Sequence, residues 1–377
     1  MHTRRVDMKK KVLVFFPNCE QGGTERVISL LSPLLSNDFD LHLMTLCKNE
    51  KKYNFKYSCF KMIDNPFLYG QGFFNKIRRY LFWYKEIKKY LRDNHIQTII
   101  SFGEIPNFFS ILIKILSIKK MAVIINIRNS ESVFLARAKY GWLIKLSMKL
   151  MYDRANEILT NSNGNKIDLS DHIGIKNEIR VIYNPVSKVL DQIIENNRPR
   201  RVLHIGRLDA QKAQHYLLEA FSLVSKELKD VELVIIGKGD KEVELIQLAR
   251  DLNISEKIRF LGWQDNPFYW LQNSDVFVLT SLWEGMPNVA IEALASGCPI
   301  VSFDCPSGPN EIINDPGRNG ILVDVGDVQS LTLSIIDVLE NELLAENLKK
   351  NGLIRSKNFN LEVIYHDFKN AINRVAL

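Results

Sequence analysis

The chain has no C-x-x-C pair, no run of about 18 apolar residues, and neither glycine fingerprint for phosphate, G-x-G-x-x-G or G-x-x-x-x-G-K-[ST]. Each gap excludes something. Cys19, Cys47, Cys59, Cys298 and Cys305 are odd in number and unpaired in spacing, which argues for a reducing cytoplasm over a disulfide framework. Without a long apolar run no membrane span is expected. The basic start MHTRRVDMKKK leads into a short apolar stretch and then polar PNCEQGG, which is not a secretory signal pattern. Zinc-finger spacing, a basic zipper and an RNA-binding sheet signature are all missing, so nucleic acid is not the expected partner.

What is present suits a globular chain of two domains: 377 residues, 46% of them apolar and 25% charged. The net charge of +7 hides an asymmetry. Residues 1–186 carry 30 Lys and Arg against 16 Asp and Glu, whereas 187–377 carry 20 against 27. A basic half and an acidic half are expected to face different partners.

In the basic half, KKVLVFFP (10–17) reads as a buried strand, and NCEQGGTERVISLLSPLL passes through a glycine loop into a helix. That order outlines an anion site in which Gly22 and Gly23 permit close backbone approach, although a tight turn needing glycine explains the loop equally well. Segments 41–47, 98–103, 121–128, 157–163 and 179–186 continue as strands with helices between them, an α/β doubly wound pattern. Two runs, 73–94 and 136–154, interleave Lys and Arg with Phe, Tyr, Trp and Leu. Such helices suit an anionic membrane surface, and packed helices with solvated lysines are the plainer alternative. Polar DQIIENNRPRR (191–201) marks a linker.

The acidic half repeats the pattern: strands at 201–208, 231–240, 258–263, 276–281, 299–304 and 321–324, with helices between. Doubly wound sheets bind ligands at the C-terminal strand edges, here expected to face a cleft between the domains. The stretch SLWEGMPNVAIEALASGCP (281–299) draws the eye, because two acids spaced E-x7-E, Glu284 and Glu292, flank a helix start near Pro287. Two solvated helix acids would give the same pattern. Arg207 and Lys212, both in one strand-end loop, favour a diphosphate instead.

The segments GRLDAQK (206–212), IIGKGD (235–240), FLGWQDNP (260–267), 274–313 and NGILV (319–323), preceded by GGTERV and NSN…IYNPV, arrive in one order. Together they resemble glycosyltransferase family 4, retaining nucleotide-sugar transferases of the GT-B fold, over essentially the whole chain. The resemblance implies two Rossmann-like domains, 1–186 for acceptor and 187–355 for donor, with 356–377 a helix crossing back to the first. It further implies that Arg207 and Lys212 neutralise the diphosphate leaving group, that Glu292 holds the ribose hydroxyls, and that Glu284 holds the donor sugar. Gly285, Met286, Pro287, Asn288 and Val289, with Gly22 and Gly23, would close around phosphate and sugar. Gly262 and Trp263 would hold the base, usually that of UDP, largely by main chain.

One departure stands out: where many relatives carry a histidine after the fourth strand, INIRNSES has Arg128 and Asn129. Arginine is no general base at neutral pH, which suits a front-face substitution with the departing phosphate taking the acceptor proton. Arg128 is instead expected to meet an acceptor phosphate, and Asn129 or Ser130 a sugar hydroxyl. Asp38-Phe39-Asp40 is a literal D-x-D, but its place between helix and strand suits a turn, and no metal or other cofactor is expected. The expected activity is transfer of a hexose or N-acetylhexosamine to a lipid-diphosphate saccharide in bacterial surface-glycan assembly, at the inner face of the membrane. An epimerase of the same fold and an inactive scaffold are the rivals.

Overall fold

A computed structural model describes residues 9–20, 22–48, 53–190, 192–195 and 198–376. The basic start at 1–8 and Asp191, Asn196 and Asn197 of the linker therefore lie outside the described residues. The chain divides into two compact units, Met1–Pro185 with Leu361–Leu377, and Val186–Asn360. Both are Rossmann-like, with parallel sheets covered by helices.

The first unit runs from Lys11–Phe16 (β1) through Gly23–Asp38 (α1), Asp40–Thr45 (β2), Cys59–Met62 (β3), Phe73–Asp93 (α2) and Thr98–Phe102 (β4). Glu104–Leu116 (α3), Ala122–Ile127 (β5), Glu131–Arg137 (α4), Gly141–Met151 (α5), Glu157–Thr160 (β6), Asn163–Ile167 (α6) and Ile179–Val181 (β7) complete it. Its sheet order is β3-β2-β1-β4-β5-β6-β7. Buried on both faces, the strands read as continuous apolar runs: Leu13, Phe15, Ile99 and Val123 pack on one side, Val12, Val14, Leu41 and Ile100 on the other. Strand β3 escapes sequence reading because it is a half-exposed edge strand, CFKM, with neither alternation nor an apolar run. The strand expected at 179–186 stops at Val181, just before the segment that leads to Pro185.

The second unit runs Arg200–Ile205 (β8), Gln214–Glu227 (α7), Val231–Ile236 (β9), Glu242–Asp251 (α8), Ile258–Phe260 (β10), Pro267–Gln272 (α9) and Val276–Leu279 (β11). Asn288–Ala295 (α10), Ile300–Phe303 (β12), Pro309–Ile312 (α11), Ile321–Val323 (β13), Val328–Glu340 (α12) and Glu342–Ser356 (α13) follow. Its sheet order is β10-β9-β8-β11-β12-β13. Strand β8 thus lies between β9 and β11, with Val202 opposite Val276 and Leu203 opposite Phe277. At that reversal of strand order the loops after β8 and β11 emerge side by side, which is where doubly wound sheets place ligands.

The last helix, Leu361–Val375 (α14), belongs to the first unit. It buries Ile364, Phe368 and Ile372 in the sheet's second face, with the Phe368 ring 6.4 Å from that of Phe102. Tyr365 and Lys369 donate to Asp38, the lysine at 2.7 Å, and Arg374 pairs with Glu157. The first acid of the D-x-D is therefore engaged in docking a helix.

Candidate active site

Loop 206–213, after β8, is braced by a short acid. Asp209 Oδ1 accepts from the Gln211 and Lys212 amides, both at 3.1 Å, and its Oδ2 lies 3.2 Å from Arg207. Such an Asx turn is legible in D-A-Q-K, yet sequence reading passed over Asp209. Gly237 and Gly239 come from the turn after β9, and a side chain on either would overlap the carbonyl of Gly206 or Leu208. That close approach lets Gly206 N donate to Ile236 O at 2.9 Å and Leu208 N to Lys238 O at 3.0 Å. Gly237 N in turn donates to Gly262 O at 2.8 Å, which draws the Gly262–Trp263 loop into the same assembly. The Trp263 indole is part-exposed and donates to Asp265 at 2.9 Å.

The β11 loop is tied to the β8 loop by three bonds. Leu282 N donates to Gln211 O, Gln211 Nε2 to Trp283 O, and Thr280 Oγ1 to Lys212 O, all within 2.8–2.9 Å. This scaffold brings the Lys212 ammonium onto Glu284 Oε1, which also accepts from Ser281 Oγ at 2.6 Å. Both partners are largely buried, whereas Arg207 reaches into solvent. Sequence reading gave Lys212 to the phosphate and Glu284 to the sugar; the structure brings these two side chains together.

Beneath them lies His204, fully buried. Its Nδ1 faces Val278 O at 2.9 Å and its Nε2 faces Gln214 Nε2 at 3.2 Å, while the Gln214 amide donates to Arg207 O at 2.7 Å. This pattern makes Nδ1 the protonated nitrogen. Burial, with Lys212 nearby, lowers the His204 pKa to about 4, so the ring is neutral at pH 7.

Pro287 is the N-cap of α10, not its first helical residue: its ψ of 110° is extended, and the helix begins at Asn288. Glu292 sits on that helix and is buried, like Met286, and Ser307 Oγ donates to Gly285 O at 3.1 Å.

In the first unit, Gly22 is the N-cap of α1, and the carboxyl of Glu25 folds back over it, so that a side chain at 22 would collide with Glu25 Oε2. Arg128, at the end of β5, is buried; it donates to Asn184 and, at 3.4 Å, to Asn126, and lies over the Phe102 ring. Glu25 and Arg128 each feel the other's charge. Gly22, assigned to the donor from sequence, is thus covered by the Glu25 carboxyl, and Arg128, assigned to the acceptor, is held by two asparagines. Ser130 caps α4, buried beside Asp168, which also accepts from Ser132 N at 3.0 Å; Asn129 is solvent-exposed. Glu131, buried and facing Glu104 and Asp168, has its pKa pushed well up by burial.

The basic-aromatic runs divide by face. On α2, Trp83 and Ile87 are buried, while Phe73, Phe74, Lys76, Arg78, Lys85, Lys88 and Lys89 are exposed. On α5, Trp142, Leu143, Leu146 and Leu150 are exposed with Lys145 and Lys149. Among the described residues no helix is long and apolar enough to cross a membrane.

Comparison with known proteins then places the molecule. A family model described as glycosyl transferases group 1 matches residues 188–355, and one described as Glycosyltransferase Family 4 matches residues 21–188. The chain belongs to glycosyltransferase family 4. One relative of this glycosyltransferase is the Campylobacter jejuni N-acetylgalactosamine-N,N'-diacetylbacillosaminyl-diphospho-undecaprenol 4-alpha-N-acetylgalactosaminyltransferase, 30% identical over 372 residues, covering 95% of this chain and 98% of the relative. Its fold, two Rossmann-like domains of the GT-B type, is shared with the lipopolysaccharide outer core galactosyltransferase WaaB, at TM-score 0.73 and 24% identity, covering 97% of this chain and 99% of that one. Anabaena HepE in complex with UDP-glucose superposes at TM-score 0.81 with 16% identity, covering 97% and 99%.

Proposed function

We propose that this glycosyltransferase moves a hexose or N-acetylhexosamine from a UDP-sugar to a saccharide carried on a lipid diphosphate, in bacterial surface-glycan assembly, with retention of configuration and without a metal. The observation that carries the reading is the cluster at the β8–β11 reversal: Lys212 paired with Glu284, Arg207 exposed on the same β8 loop, and α10 starting at the end of the β11 loop. As the bond to the anomeric carbon lengthens, negative charge gathers on the leaving diphosphate. Arg207 and Lys212 would take up that charge, with the α10 N-terminus adding the positive end of its dipole. Glu284, fixed by Ser281, would hold the sugar, and Glu292 the ribose. Arg128 stays charged at neutral pH, its pKa lowered by burial only to about 10, and cannot serve as a base. The departing phosphate oxygen would then accept the acceptor's proton on the same face, giving retention.

The Campylobacter relative acts, by its name, on a diphospho-undecaprenol saccharide and forms a 4-alpha linkage, and the HepE complex holds UDP-glucose. Both support the acceptor and donor classes proposed here. The exposed Lys, Arg and aromatic faces of α2 and α5 would rest this enzyme on an anionic membrane, where such an acceptor resides.

The test is UDP release from a panel of UDP-sugars, with and without a short-chain prenyl-diphosphate saccharide, in the presence of EDTA. Acceptor-dependent release and an α-linked product by NMR are expected. Free epimerised sugar nucleotide without acceptor would favour an epimerase, and absence of nucleotide binding a scaffold. For the membrane face, Lys76, Arg78 and Lys85 changed together to Glu should abolish sedimentation with phosphatidylglycerol vesicles. Unchanged sedimentation would count against that surface.

A further inference from the structure

His204 and Gln214 are polar side chains with 0% and 1% exposure, buried under the loop that carries Arg207 and Lys212. His204 Nδ1 lies 2.9 Å from Val278 O, an atom that only accepts, so this nitrogen holds the proton and Nε2 is left as an acceptor. The neighbour of Nε2 must then donate. Gln214 Nε2 does so at 3.2 Å and spends its second hydrogen on Arg207 O at 2.7 Å. A primary amide carries two donors on one nitrogen, which a hydroxyl or a carboxylate lacks. Arg207 O also accepts from Asp209 N at 3.1 Å, and Asp209 Oδ1 in turn accepts from the amides of Gln211 and Lys212. One hydrogen-bonded chain therefore runs from strand β8 to both cations, reaching Arg207 through its carbonyl and Lys212 through its amide. The Lys212 stem is held near the ring as well: a side chain at Gly206 would meet His204 Nε2 at 3.2 Å and Lys212 Cδ at 3.5 Å. Stability does not call for this arrangement. Gln214 Oε1 is buried without a hydrogen bond among the described residues, an unmet acceptor that an apolar side chain would avoid.

We propose that His204 and Gln214 are positioning residues for the transfer step: together they hold the Arg207 carbonyl, and through Asp209 the Lys212 amide, so that both cations meet the leaving diphosphate. This role rests on the glycosyltransferase reading above and adds to it two residues that act only through the loop. Negative charge gathers on the diphosphate as the bond to the anomeric carbon breaks, and misplacing a group that stabilises it by about 1 Å costs on the order of 100-fold in rate. UDP itself, held also through ribose and base, depends less on either cation.

The test compares Gln214→Met, which keeps length and shape but removes the donor, with a double variant, His204→Leu with Gln214→Met, which removes both ends of the bond. Turnover with whichever UDP-sugar the enzyme transfers, UDP Kd by calorimetry and the thermal midpoint are read for each in the full chain. Gln214→Met is expected to lose about 10- to 100-fold in kcat, with UDP Kd changed by no more than about threefold. Replacing both partners of a buried polar pair by apolar groups is nearly neutral for stability, so the double variant is expected to regain the thermal midpoint without the turnover. Turnover that returns with the midpoint overturns the proposal, as does an equal loss of kcat and UDP affinity in Gln214→Met. With isotope-labelled histidine, long-range proton–nitrogen NMR correlation at neutral pH should show an imidazole protonated at Nδ1 that the double variant lacks. An unmodified enzyme with no such imidazole overturns the relay whether or not the variants fold. If no UDP-sugar supports transfer, the transferase reading fails and this role with it, whereas an active enzyme indifferent to Gln214→Met overturns the role alone.

Discussion

Lys212 and Glu284 form a single ion pair joining the loops that follow β8 and β11, with Ser281 holding the same carboxylate oxygen at 2.6 Å. The two therefore act as a unit. Lys212→Ala or Glu284→Ala alone leaves a buried charge without its partner, and each should lower kcat on the order of 10²-fold or more. The double variant should lose about as much as the worse single, far less than the product of the two. Turnover numbers for the three variants decide this, and a multiplicative loss would show that the two residues work independently.

Glu292 and Glu284 divide the donor between them. Glu292→Ala should weaken UDP binding by about 10- to 100-fold, the cost of losing a charged hydrogen-bond acceptor, while Glu284→Ala acts mainly on turnover. Nucleotide Kd and kcat measured side by side check the division, which fails if both variants change both quantities alike.

Backbone geometry in the same loops predicts opposite outcomes for two small changes. Ala213 sits in the left-handed region, φ 46° and ψ 46°, directly after Lys212. Ala213→Gly should relieve roughly 1–2 kcal/mol of strain, offset in part by glycine's greater freedom when unfolded. Gly237→Ala drives a side chain into the Gly206 carbonyl and should destabilise by more than that strain. Denaturant titration should place the first variant above the parent and the second below it.

The two units should respond to pH in opposite directions. In the second, His204 is held neutral down to about pH 4, so between there and its ordinary 6.5 the unfolded chain binds a proton the folded one refuses. Stability falls as pH drops through that window, by up to roughly 3 kcal/mol. In the first, Glu25 and Glu131 have raised pKa values, and the folded state keeps protons that the unfolded chain releases above about 4.5. Stability there falls as pH rises from 4.5, through about 7 for Glu25. Thermal midpoints from pH 4.5 to 8 should flatten on the acid side in His204→Gln and on the alkaline side in Glu131→Gln. Unchanged slopes would mean that these groups titrate alike in both states.

Most of the chemistry-bearing loops could be found from the chain alone, because strands buried on both faces announce themselves as apolar runs and the loops at their ends carry Arg207, Lys212 and Glu284. Strand β3 could not be, since all four residues of this edge strand, CFKM, are half-buried and form no apolar run. Glu25 was visible in GGTERV but unremarkable, because burial, which makes its carboxyl unusual, is a property of what packs around it. His204 and Gln214 read as ordinary strand and helix residues for the same reason.

By itself the sequence determined the alternation of strands and helices, the division into a basic and an acidic half, and the family motifs with their spacing. These are local properties, set by the period of apolar residues and by which types stand at strand ends. Tertiary structure alone decided the pairings. Placing β8 between β9 and β11 put Lys212 against Glu284 across 72 residues of chain, and the fold set Arg128, at the end of β5, against Asn184 across 56. Sheet order is fixed by how whole layers pack, so no stretch of sequence carries those contacts on its own.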